Sequence, residues 1–255
     1  LAFFASADGI IIENLLTRFS SEVKSQEVRT FYAVQSFVEA IHSETYSLLI
    51  DTYVKDQNKK ELLFNGIQTI PAVKLKNEWA IKYIESDSTF SERLCAFAII
   101  EGVFFSASFC AIYWLRERGL MKGLTFSNQL ISRDENLHVR YAVELYHTLP
   151  KEYKTKKEKI YEMIRDAVDI EINFITLSLP CRLIGMNSEL MVQYIKYVAD
   201  KLLVDLNCDK IYKVSNPFGF MELISMRQKQ NMFEGRISEY ARQENPDNNL
   251  NDCFD

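Results

Sequence analysis

The chain reads as an all-α bundle of long helices, and three observations point there. Only 8 Gly and 5 Pro occur in 255 residues, whereas strand-built folds spend more of both on turns. Apolar residues recur at helical spacing over long runs, and no stretch alternates in the manner of a half-buried strand. Two of the only three histidines follow a glutamate by three residues, as Glu39/His42 and Glu135/His138. Helical spacing puts residues i and i+3 on one face, so each pair offers a carboxylate and an imidazole to one point.

The elements follow in order. Residues 1–24 are expected as one helix, with Phe3, Phe4, Ile11, Leu15 and Phe19 at roughly helical spacing. A second, long helix runs from about Glu27 to Val54 and ends at Lys55-Asp-Gln-Asn-Lys. Shorter helices near 58–68 and 71–85 come next, the latter with Pro71 in its first turn, where a missing N–H is tolerated. Ser86-Asp-Ser-Thr offers N-cap side chains for a long apolar helix that runs to Glu117 and closes at Arg118-Gly119. Further helices are expected over 122–148, stopped at Leu149-Pro150, over about 151–178, broken at Leu179-Pro180, and near 187–206. The C-terminal stretch, rich in Asn, Gln and Asp, reads as loop and tail. We therefore expect a single helical domain over 1–240 and a polar C-terminal tail over 241–255. Leu1-Ala-Phe-Phe is already apolar with no capping signal, so a missing N-terminal segment is expected.

Composition narrows the function. A net charge of −5 and a pI near 5.4 argue against a nucleic-acid partner, since phosphate binding needs a basic surface. Lys154, Lys156, Lys157 and Lys159 do cluster, but Glu152, Glu158 and Glu162 interleave them, as on a solvated helix face. The five cysteines (Cys95, Cys110, Cys181, Cys208, Cys253) are scattered without C-x-x-C spacing. They read as reduced thiols of a cytoplasmic protein, and no signal peptide is evident. The run from Ala96 to Leu115 approaches membrane length, but Glu101 lies inside it and Arg116-Glu117-Arg118 follows. A buried bundle helix fits it better than a membrane span.

Two Glu-x-x-His helices and two helices that each add one acid make the ligand set of a dinuclear carboxylate metal site. With 22 Glu in the chain, chance would give two such pairs among three histidines roughly 2% of the time, so the pattern carries weight. Glu101 is the third element: it sits within Ala96-Phe-Ala-Ile-Ile-Glu-Gly-Val-Phe-Phe-Ser, where an unpaired carboxylate would be strongly penalised by desolvation. No Arg or Lys lies between Arg93 and Arg116 to pair with it. The fourth acid should come from the first helix, and spacing leaves Asp8 and Glu13 as rivals. His147 has no acid three residues before it and reads as surface or capping. Tyr46, four residues after His42, shares the metal-facing stripe. It is either ordinary core or a tyrosine that an oxygen-activating site oxidises to a neutral radical. Phe105, Phe109 and Ile131 are spaced to surround it with apolar groups.

These residues resemble the small, radical-generating subunit of class I ribonucleotide reductase, of the eukaryotic type, over almost the whole chain. The resemblance is carried by Phe3-Phe-Ala-Ser-Ala-Asp-Gly-Ile, Ile41-His-Ser-Glu-Thr-Tyr-Ser-Leu-Leu-Ile-Asp-Thr-Tyr, Ile100-Glu-Gly-Val-Phe-Phe-Ser, Ser132-Arg-Asp-Glu-Asn-Leu-His, Leu183-Ile-Gly-Met-Asn and Asn216-Pro-Phe-Gly-Phe-Met-Glu. It implies a ferritin-like helical bundle with a dinuclear metal site between four core helices. It also implies an oxo-bridged diiron centre, and a carboxylate-rich donor set leaves manganese as an alternative occupant. Asp8, Glu39 and His42 would hold one ion, and Glu101, Glu135 and His138 the other, which favours Asp8 over Glu13. Tyr46 would carry a stable tyrosyl radical formed with dioxygen, in a pocket of Phe105, Phe109 and Ile131. Asp134 would link His42 to the radical-transfer path.

The same resemblance implies a homodimer and a large catalytic subunit as partner, reached through the C-terminal tail. Ribonucleoside diphosphates would be reduced to deoxyribonucleotides in that subunit, consistent with the lack of a phosphate-cradling Gly-rich loop here. The match loosens after Glu222, and no tyrosine follows Tyr240 to serve as the tail relay. The family's transfer tryptophan would lie upstream of Leu1, since neither Trp79 nor Trp114 sits in a matching motif. Two other readings remain at this stage: a ferritin-like iron oxidation or storage protein, and a non-catalytic structural paralogue.

Overall fold

Side-chain caps set several of the helix starts in the computed structural model, which describes residues 2–84, 86–179 and 185–222. The first helix, α1 (Ala2–Asn14), runs into a π turn over Leu15–Phe19 and a last short turn, Ser20–Glu22. The sequence led us to expect one uninterrupted helix there. The widened turn instead lodges Leu15 and Phe19 together in the core, both without exposed surface.

Helix α2 (Gln26–Tyr53) starts at Ser25, whose hydroxyl accepts from the Val28 amide at 3.4 Å. The Asp56 carboxylate caps α3 (Gln57–Phe64) through the Lys59 amide at 3.0 Å. A short turn, Gly66–Thr69, leads into α4 (Pro71–Ile84), with proline at its first position as expected. Thr89 is the cap chosen from the expected Ser/Asp/Thr cluster, accepting from the Glu92 amide at 3.2 Å. From it runs α5, made of Phe90–Ile99, a π turn Ile100–Phe104 and Ser106–Glu117. Gly119, at φ +66°, takes the left-handed conformation that ends α5. The Leu120 amide then reaches back to the Leu115 carbonyl at 3.1 Å.

Helix α6 (Lys122–Thr148) is followed by a short turn, Lys151–Tyr153, before α7 (Lys157–Ser178). The later start of α7 has a local cause. The Thr155 amide and hydroxyl bond the Ser91 hydroxyl at 2.8 and 2.7 Å, tying the connection to the start of α5. Asn187 caps α8 (Ser188–Asp205) through the Leu190 amide at 2.8 Å. His147 caps the other end of α8, with Nε2 against the Asp205 carbonyl at 2.7 Å. The expected break at Pro180, Cys181 and the tail over 241–255 lie outside the described residues.

Helices α1 and α2 pack as one pair and α5 and α6 as another, with α2 also against α6. Helices α4, α7 and α8 close the far side of α5. Phe90–Glu117 is long and apolar enough to cross a membrane, yet 78% of its most apolar window is buried within the protein. It is the central core helix of the bundle. Among the described residues no β-strand forms.

Candidate metal centre

Four helices bring their acids and imidazoles to one place inside the bundle. Asp8 comes from α1, Glu39 and His42 from α2, Glu101 from the π turn of α5, and Glu135 and His138 from α6. All six are buried, none more than 3% exposed. One ligand atom from each of Glu39, Glu101, Glu135 and His138 lies within 4.8 Å of all the others. The two Glu-x-x-His pairs also cross. His42 Nδ1 lies 2.9 Å from Glu135 and 3.3 Å from its own Glu39, while His138 Nδ1 lies 2.9 Å from both Glu39 and Glu135. Glu13, the rival to Asp8, is exposed.

The apolar neighbours of these pairs are exposed rather than packed around them. Phe37 is 65% exposed, Ile41 47% and Leu137 52%. Adjacent helix positions differ by about 100°, so residues next to an inward-facing ligand need not share its burial. Burial of the pairs comes from the facing helices instead.

Electrostatics reflect a crowded set of like charges. Burial, then the neighbouring Glu39 and Glu135 carboxylates, push the Asp8 carboxyl well above the usual range. Burial and the charges of Glu135 and Glu39 do the same to Glu101. Burial opposes ionisation of Glu135, but hydrogen bonds from His138 and His42 outweigh it and hold the group below the ordinary carboxylate range. Burial also opposes charge on the imidazoles. Contacts to Asp134, Glu135 and Glu39 nonetheless bring His42 up to about 12. Contacts to Glu135 and Glu39 bring His138 up to about 9.

Both oxygens of Asp8 and Oε2 of Glu101 are buried without a hydrogen-bond partner. Buried polar atoms of this kind are costly unless something binds them, and carboxylate oxygens with imidazole nitrogens are a donor set for divalent transition metals. The residues present therefore fit a dinuclear centre.

Around the cluster lie residues of three further kinds. Asp134 Oδ2 stands 3.3 Å from His42 Nε2, on the side away from Glu39, and its side chain is one-third exposed. Tyr46 is buried, and its hydroxyl has no hydrogen-bond partner. Burial, followed by the charge of Asp8, raises that hydroxyl well above the usual phenol value. Phe105, Phe109 and Ile131 are all buried.

Two residues escaped the sequence reading. Phe4 stacks on Tyr46 with ring centroids 4.6 Å apart, and joins it to Phe109 at 4.9 Å and Phe105 at 5.4 Å. Gln35, also buried, points its amide nitrogen at Glu101 Oε1 from 3.5 Å. The signal for both was the helical repeat: Phe4 precedes Asp8 by four residues and Gln35 precedes Glu39 by four.

Fold and site together define a ferritin-like helical protein with a carboxylate and imidazole metal-binding centre. Comparison with known proteins gives that class a family. The model of the ribonucleotide reductase small chain matches residues 1–217. The ribonucleoside-diphosphate reductase small subunit of Dictyostelium discoideum is 57% identical over 242 residues, 95% of this chain and 71% of that protein. The Rnr4 homodimer of Saccharomyces cerevisiae is similar in structure, with a TM-score of 0.72 and 30% identity over 89% of this chain and 76% of that one. The dimanganese(II)-NrdF of Streptococcus sanguinis shares the fold, with a TM-score of 0.77 at 18% identity over 88% of this chain and 80% of that one. The chain belongs to the ribonucleotide reductase small-chain family, as the small-subunit component of ribonucleoside-diphosphate reductase, an oxidoreductase.

Proposed function

We propose that this small subunit generates a tyrosyl radical on Tyr46 and delivers it to a large catalytic subunit that reduces ribonucleoside diphosphates. One observation carries the reading: a buried tyrosine whose hydroxyl has no partner, its ring stacked on Phe4, which in turn packs against Phe105 and Phe109, beside an acid-rich cluster with orphaned oxygens.

Asp8, Glu39 and His42 would hold one metal ion, and Glu101, Glu135 and His138 the other. When bound, two redox-active ions supply the oxidising power that dioxygen confers. The chain's own residues do the rest. Tyr46 would give one electron to the oxidised centre and lose its hydroxyl proton toward the acid-rich cluster, where Asp8 is the carboxylate whose charge acts on that hydroxyl most strongly. Packed rings and Ile131 exclude water and reductants from the resulting neutral radical. His42 and Asp134 form the outward path, since the imidazole touches the cluster on one side and the partly exposed carboxylate on the other.

Iron is the metal proposed, with manganese as the alternative that an oxygen and nitrogen donor set also accepts. Homodimerisation is supported by an exposed apolar stripe of Val34, Phe37, Ile41 and Leu48 on α2, with Leu137 on α6. Such a stripe at heptad-like spacing suits a second helix. The tail over 241–255, proposed to dock on the large subunit, lies outside the described residues, and a cytoplasmic location is proposed for the assembly. The test is anaerobic loading with ferrous iron followed by oxygen. Two iron ions per chain and a tyrosyl signal are expected; iron uptake without any radical would favour storage or oxidation of iron instead.

A further inference from the structure

Helix α4 carries a lysine, Lys76, with no exposed surface, and α7 opposes it with an equally buried Glu171. Their charged ends are 2.5 Å apart. The same ammonium donates to the Phe104 carbonyl at 2.6 Å. It also lies 3.6 Å from the ring centre of Phe3 and 3.8 Å from that of Phe174. A buried ion pair is weak evidence for stability, because desolvation offsets most of the attraction. Its position in the fold indicates another use.

Phe104 is the last residue of the π turn in α5. A π turn shifts the helical hydrogen bonding by one residue, and the return to α-helix leaves backbone groups to find partners elsewhere. Lys76 serves the carbonyl before that junction. Glu171, ion-paired with the same ammonium, lies near the Ala107 amide in the first turn after it, which favours its charged form, although neither carboxylate oxygen accepts a hydrogen bond. The pair thus straddles the junction. Glu101 stands on one side of it, and Phe105 and Phe109 on the other. Phe3, under the ammonium, meets Phe105 edge-on with centroids 5.3 Å apart.

We propose that Lys76 and Glu171 clamp the exit of this π turn, fixing in one register the direction of Glu101 toward the acid cluster and of Phe105 toward Phe4, the ring stacked on Tyr46. Both are positioning residues, and neither touches the reacting atoms. Burial brings Lys76 down to about 8 and Glu171 up to about 7, so each charge depends on the other. The two aromatic faces add cation–π attraction that a desolvated ammonium feels strongly. The clamp itself is independent of the metal reading, although its consequence for Glu101 rests on it.

The test is backbone amide hydrogen exchange across the full metal-free chain, comparing the parent with Lys76→Met/Glu171→Leu and with Glu171→Gln. The double variant leaves no charge buried alone, and the single one keeps the side-chain shape. In both, exchange over residues 100–107 should accelerate by ~10-fold while α2 and α6 keep their protection. Exchange over 100–107 that is unchanged, or raised evenly in every helix, overturns the clamp. Cobalt(II) uptake by the parent chain tests the metal reading separately. Parent protein that takes up no cobalt contradicts that reading and leaves the clamp to be judged on exchange alone.

Discussion

The ring of Phe4 lies flat on the ring of Tyr46, with centroids 4.6 Å apart and planes 9° from parallel. Because Phe4 and Asp8 lie one helical turn apart on α1, a single helix face supplies both a buried acid of the cluster and the lid over the tyrosine. Phe4→Ala should open a cavity there and lower stability by about 3–5 kcal/mol, read by denaturant unfolding. The radical should also decay faster as solvent gains access. A half-life equal to that of the parent would show that the stack does not protect Tyr46.

Asp134→Asn keeps the shape beside His42 Nε2 and removes the charge. Metal content and radical yield should stay near those of the parent, while turnover with the large subunit falls by about 10–100-fold. Loss of the radical itself would assign Asp134 to formation rather than transfer.

Glu101→Ala takes away one side of the cluster, so bound metal should fall toward one ion per chain. Elemental analysis after gel filtration checks this. Two ions retained would mean that Glu101 is simply a buried acid held by Gln35.

Metal uptake should expel protons. Asp8 and Glu101 are raised well above their usual values, His42 to about 12 and His138 to about 9. The two imidazoles hold their protons at neutral pH in the metal-free protein, and those protons leave when a metal takes their place. Apparent affinity should therefore rise with pH below 9, and at least about two protons should appear per pair of divalent ions. Calorimetry in buffers of different ionisation enthalpy measures the count. No proton release would show that these groups are not the ligands.

Much of this arrangement was legible in the sequence. Five of the six acids and imidazoles could be picked out because i, i+3 pairing and a charge inside an apolar run are local patterns. Choosing Asp8 over Glu13 needed the family resemblance, since both lie on the first helix and only packing separates the buried one from the exposed one. The π turns at Leu15–Phe19 and Ile100–Phe104 were not legible, because an inserted turn leaves no compositional mark. Lys76 and Glu171 were hidden for a related reason. A lysine and a glutamate on separate helices read as surface residues until the fold removes their water.

The most direct measurement is electron paramagnetic resonance on the metal-free chain and its Tyr46→Phe variant. Each is loaded anaerobically with ferrous iron and then exposed to oxygen. The Tyr46 hydroxyl has no hydrogen-bond partner, so its removal strands no buried group and stability should stay within about 1 kcal/mol. Equal iron loading, a tyrosyl signal in the parent and none in the variant are expected. A full-strength tyrosyl signal in Tyr46→Phe, or full iron loading with no signal in the parent, would contradict a radical on Tyr46.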